Sequence, residues 1–86
     1  MVNYRLKALI MDVVENQLKM DDPKCTKATL MRLKNLGYSE QKSKEMIGSV
    51  LIEEIYYILK EKTHFNEKKY CEKLSLLPDY YFKKKD

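Results

Sequence analysis

The stretch Met46-Ile47-Gly48-Ser49-Val50-Leu51-Ile52-Glu53-Glu54-Ile55-Tyr56-Tyr57-Ile58-Leu59 decides the fold of this 86-residue chain. At about 100° per residue, Met46, Ile47, Val50, Leu51, Ile52, Ile55, Tyr57, Ile58 and Leu59 cover roughly 240° of a helix circumference. A helix at the edge of a globule needs an apolar stripe of only about 100°. This helix, the third in the chain and predicted from Ser39 or Glu40 to Lys62, must therefore be packed from several sides and is the central one. Gly48 in its middle costs about 1 kcal/mol relative to alanine, which close approach of another helix would offset.

The flanking segments supply the neighbours. Leu6, Leu9, Ile10, Val13, Val14 and Leu18 recur at helical spacing and predict a first helix from Tyr4 to Lys19 with one apolar stripe. Met20-Asp21-Asp22-Pro23 ends it, with Asp22 placed to cap a second helix and Pro23 at that helix's first position. The second helix is predicted to run to Leu36, with Thr26, Thr29, Leu30, Leu33 and Leu36 inward. Gly37 suits the left-handed residue after its end. Ser39 then caps the third helix, with Glu40 in its first turn. Thr63-His64-Phe65 reads as a loop. Asn66 caps a fourth helix with Tyr70, Cys71, Leu74 and Leu77 inward, and Pro78 stops it. The expected architecture is all-α, a compact bundle of about four helices around a long central third helix, with residues 1–82 as one domain and 83–86 as a basic, frayed tail.

Composition bounds the rest. The chain is 44% apolar and 35% charged, with two glycines and two prolines, which suits a compact helical protein and excludes disorder or a many-turned β fold. A chain of this size buries only about 60–65% of its unfolded surface, leaving little room for an enclosed active site. The longest apolar run near the start, Ala8-Leu9-Ile10-Met11, is far short of a signal-peptide core, and no segment approaches a membrane span. A cytoplasmic location without membrane contact is the expectation. There, Cys25 and Cys71 would be two unrelated reduced thiols, with a disulfide or metal pair as the alternatives. The net charge is +4, carried by fifteen lysines and two arginines. Arginine is the residue that reads phosphates and guanines bidentately, so this balance disfavours a nucleic-acid reader.

Two residues break the apolar pattern. Gln17 falls in the centre of the first-helix stripe, and Glu54 falls inside the apolar arc of the third helix. A carboxylate in such a setting needs a partner or a proton. The two residues form a candidate buried polar pair, with a tyrosine or Arg5 as other partners for Glu54 and a ligand or metal site as the sharper alternative. His64, the single histidine, reads as a solvated loop residue rather than a general base. No cysteine–histidine cluster supports zinc, and no glycine-rich loop supports a nucleotide, so no cofactor is expected. Read as a DNA-binding helix-turn-helix around Gly37, the segment would have Leu33, Arg32 and Ser43 at unsuitable positions.

The tyrosines are the remaining feature. Tyr56 and Tyr57 lie on the third helix, and Tyr80-Tyr81-Phe82 follow the fourth. Tyrosine is enriched where one end of a side chain is apolar and the other wet. Ile52, Tyr56, Leu59, Tyr80, Tyr81 and Phe82 are the candidate interface, unless the last three fold back and cover the first.

Glu15-Asn16-Gln17, Asp22-Pro23, Leu36-Gly37-Tyr38-Ser39, Ile47 to Ile55 and Phe65 to Pro78 together resemble a small bacterial all-helical family, a domain of unknown function. The resemblance spans nearly the whole chain and rests on caps and core positions. Members of that family often carry a histidine near the position of Glu45, which this chain lacks. The resemblance implies a helical fold and a bacterial source but no activity. The functional expectation is a non-enzymatic protein-protein interaction module that self-associates through the third helix and the aromatic C-terminal segment. A nucleic-acid accessory protein using the lysine surface is the alternative, and a small-ligand or metal site at Glu54 and Gln17 is third.

Overall fold

A computed structural model describes residues 4–83, with side chains from residue 5 onward. It contains five helices: α1 (Tyr4–Met20), α2 (Lys24–Asn35), α3 (Glu40–Glu61), α4 (Glu67–Leu74) and α5 (Asp79–Lys83). Each of the other four packs against α3, so the longest helix is the centre of the bundle. The radius of gyration, 12.4 Å, is that of a compact domain of this length, for which about 12 Å is usual. No helix among the described residues is long and apolar enough to cross a membrane.

The core is built on the first half of α3. Met46, Ile47, Val50 and Leu51 are buried there against Ile10 and Val14 of α1, Leu33 of α2, Tyr70 and Leu74 of α4, and Leu77. Gly48 is where α1 comes closest. A Cβ at that position would stand 3.2 Å from Ile10 Cγ2 and 3.6 Å from Met11 Sδ. An added methyl would require Ile10 to give way by a few tenths of an ångström, which acts against the helix-propensity penalty of glycine at this position.

The helix ends show how the chain turns. Asp22 N donates to Gln17 O and Asp21 N to Leu18 O, while Asp21 takes the left-handed conformation at φ 52°. This is a Schellman closure of α1. The same pattern closes α2, with Gly37 at φ 106° and Tyr38 N donating to Leu33 O. It closes α3 as well, with Lys62 at φ 54° and Thr63 N donating to Ile58 O. Ser39 and Asn66 cap α3 and α4 as expected, accepting from Lys42 N and Lys69 N, each at 3.0 Å.

Several expectations need correction. Asp22 does not cap α2. Its backbone is engaged in closing α1, and Pro23 occupies the cap position without a side-chain hydrogen bond. The α1 stripe is only half used, because Leu6, Leu9 and Val13 are exposed while Ile10 and Val14 are buried. A stripe that wide faces more than one groove, and the core fills only one. Leu36 is also exposed. The fourth helix ends at Leu74, four residues before the proline expected to stop it, and after the turn at 75–78 a further helix, α5, begins directly after Pro78 and carries the aromatic residues and Lys83. Residues 84–86, the remainder of the expected tail, lie outside the described residues.

The thiols are not separate. Cys25 and Cys71 form a disulfide with Cα atoms 5.7 Å apart, tying α2 to α4 across 46 residues. Distance along the chain gave no hint of this, because it is the packing of α2 beside α4 that brings the two together. Closing a loop of this length restricts the unfolded chain considerably. Cys25→Ser, or reduction by a dithiol, should lower the unfolding free energy by roughly 2–5 kcal/mol. A urea midpoint unchanged by reduction would show that the bond contributes nothing.

Candidate functional site

The first polar position, Gln17, lies where α1, α2 and α4 meet. Its Oε1 accepts from Thr26 Oγ1 at 2.8 Å and from Tyr70 OH at 2.9 Å. Thr26 and Tyr70 are fully buried. A buried hydroxyl left without a partner would cost about 1–3 kcal/mol, so this shared acceptor is structural glue between three helices. Burial pushes the Tyr70 phenol up to about 12, against the opposing effect of its bonds with Thr26 and Gln17.

The second, Glu54, is 1% exposed on α3. It does not meet Gln17. Its Oε1 stands 2.9 Å from Lys73 Nζ of α4, and the same ammonium lies 3.4 Å from Glu53 Oε1. Tyr80 of α5 donates its OH to Glu53 Oε1. One lysine is therefore held between two neighbouring carboxylates, and the loss of water around it is outweighed. Burial pulls the Lys73 ammonium down, but its contact with Glu54 and the nearby negative charges raise it overall. The bond to Glu53, helped by burial, raises Tyr80 too. Arg5 is exposed on α1.

Below Glu54, a cavity of about 180 Å³ opens between the end of α3, the connection to α4 and the first turns of α4. Glu54, Tyr57, Thr63, His64, Asn66 and Lys69 contribute to its wall, along with Ile58. Lys69 Nζ sits 3.6 Å from the centroid of the Tyr57 ring, a cation–π contact that fixes the ammonium in place. His64 is exposed in the connection. Among the described residues, no three His, Cys, Asp or Glu side chains gather as a metal would require.

The candidate interface residues divide into two groups. Ile52, Tyr56 and Leu59 lie on one face of α3 and are 36%, 72% and 73% exposed. Tyr80 and Tyr81 instead turn inward. Tyr80 reaches Glu53, and Tyr81 lies under Lys42 Nζ, 4.9 Å from the ring centroid. Phe82 packs against Tyr38 and Tyr81 and stays half exposed. Thus α5 folds back onto α3, yet Tyr56 and Leu59 remain open to solvent.

Arg32 is committed elsewhere. Its Nη1 donates to Leu77 O at 2.6 Å and its Nη2 to Leu74 O at 2.9 Å, satisfying carbonyls at the end of α4. Ser43, the other doubtful helix-turn-helix position, is buried and donates to Ser39 O. Lys73 was not singled out from the sequence. The available signal was its place on α4, three residues after Tyr70 and four before Leu77, on the flank of the buried face. Lys69 gave no signal, and Asn66 and Thr63 read only as a cap and a loop residue, because a cavity formed by a helix end and a loop has no periodicity.

No protein-family model, curated protein or solved structure matches this chain.

Two outcomes follow from the buried groups. Lys73→Met leaves Glu54 buried without its counter-charge and should cost about 3 kcal/mol, whereas adding Glu54→Leu should recover most of that loss. A double variant as unstable as the single one would refute the pairing. Tyr70, Lys73 and Tyr80 all have folded-state values above their free ones. Their contribution is therefore complete below pH 10.0 and, for Tyr70, is lost as the pH rises from 10.0 towards about 12. Chemical unfolding at a series of alkaline pH values should show that decline, and Tyr70→Phe should flatten part of it.

Proposed function

We propose that this protein is a non-enzymatic interaction module that self-associates through the exposed face of α3. The observation that carries this reading is the solvent exposure of Ile52, Tyr56 and Leu59 on one helix face, left uncovered although α5 folds back beside it. Contiguous exposed apolar surface on a small domain marks a partner site. The spacing fits a second copy. Ile52 and Leu59 lie equally far from the midpoint between residues 55 and 56. An antiparallel copy about a two-fold axis would set Ile52 against Leu59 of the other chain, with the two Tyr56 rings near the axis. Lys60 and Tyr56 also border both shallow grooves on this side.

A formed Cys25–Cys71 bond favours an oxidising compartment over the cytoplasm expected from the sequence, because cytosolic thiols are kept reduced. The bacterial family resemblance remains part of this reading and adds no activity to it.

Light scattering on a size-exclusion column should give a dimer mass at high protein concentration. Tyr56→Asp and Leu59→Glu should each return a monomer with an unchanged urea midpoint, since neither side chain supports the core. A strict monomer for the unaltered chain at every concentration would refute the proposal.

A further inference from the structure

We infer that the cavity beneath Glu54 binds a small zwitterion of the amino-acid class, its ammonium group on Glu54 and its carboxylate on Lys69. This is independent of the α3 face. The two charges lie on the walls of one cavity and are opposite in sign. Both have binding capacity left. Glu54 Oε1 is taken by Lys73 Nζ at 2.9 Å and is fully shielded from solvent, which leaves Oε2 as the oxygen that can serve the cavity. A carboxylate has about four lone-pair sites, and one ammonium does not fill them. On the other side, Lys69 enters no ion pair with a described carboxylate. Its ammonium is held over Tyr57 instead. A ligand with a single charge would satisfy one wall and be repelled by the other, whereas one carrying both charges satisfies both.

The size fits this class. At about 180 Å³ the cavity is below the roughly 300–1,000 Å³ of pockets that take drug-sized molecules. Thr63, His64 and Asn66 add polar groups at the wall, and the Tyr57 ring adds an apolar one. Glu54 is also held rigidly by Lys73, so the acceptor is oriented before a ligand arrives.

The test is amide NMR titration of the whole oxidised chain with glycine and alanine, using acetate and methylammonium as single-charge controls. The expected result is saturable shifts confined to Glu54, Tyr57 and residues 63–69 with the amino acids, and much weaker ones with either control. Lys69→Met, a partly exposed substitution outside the core, should weaken glycine binding about tenfold or more, equivalent to about 1.4 kcal/mol. Glu54→Gln should do the same, and Lys69→Met alone decides the matter if that variant does not fold. Acetate binding as tightly as glycine would mean an anion site, and methylammonium binding as tightly would mean a cation site. Either outcome overturns the inference, as does the absence of saturable shifts up to about 50 mM, where affinity is too weak for recognition.

Discussion

A helix apolar over most of its circumference cannot stand in water, and a short chain has little with which to surround it. Here α3 takes 22 of 86 residues, and the other elements are arranged by the need to cover it. They succeed over its first half, where Met46, Ile47, Val50 and Leu51 are sealed by α1, α2 and α4. Beyond Leu51 the cover thins. Glu54 is still enclosed, but Ile52, Tyr56 and Leu59 are not. Both the candidate cavity and the candidate interface lie at this edge, where burial gives out.

Covering elements as short as α4 and α5 cannot hold themselves in place by helix propensity, since isolated helices of one or two turns are unstable in water. Specific links do it instead. Arg32 grips the end of α4, the disulfide ties its middle to α2, and Tyr70 hangs it from Gln17. Lys73 joins α4 to α3, and Tyr80 brings α5 to the same carboxylates. Polar groups inside a small core weaken it when left unsatisfied but fix one arrangement when paired. The three helices that meet at Gln17 are related by that single acceptor in a way apolar contact alone would not dictate.

The sequence made the central place of α3 legible because an apolar arc that wide needs several neighbours, although it did not say that Ile52 and Leu59 would stay uncovered. Ser39, Gly37 and Asn66 were equally readable, since caps are local and each residue type has its own geometric reason. Asp22 misled for an equally local reason. The chain needed it to finish one helix, so it could not also start the next. The wide stripe of α1 was read correctly as apolar but not as half exposed, because a stripe does not state how many neighbours it has. Gln17 and Glu54 stood out as misplaced polar residues, but their partners come from α2 and α4, far along the chain. Contacts of that kind, the disulfide included, depend on how helices sit side by side, which no local pattern encodes.

The bond between Cys25 and Cys71 also determines how the molecule would carry a mechanical load. A pull on the two chain ends travels through α1, across the sulfur bridge and out through α5. The 46-residue separation that it spans, with all of α3 inside it, bears no tension. The closed loop withholds about 150 Å from the length to which the chain can be drawn. The helix that bears Tyr56 and Leu59 lies wholly inside that loop, as does nearly all of α2, so the covalent path of the load bypasses both.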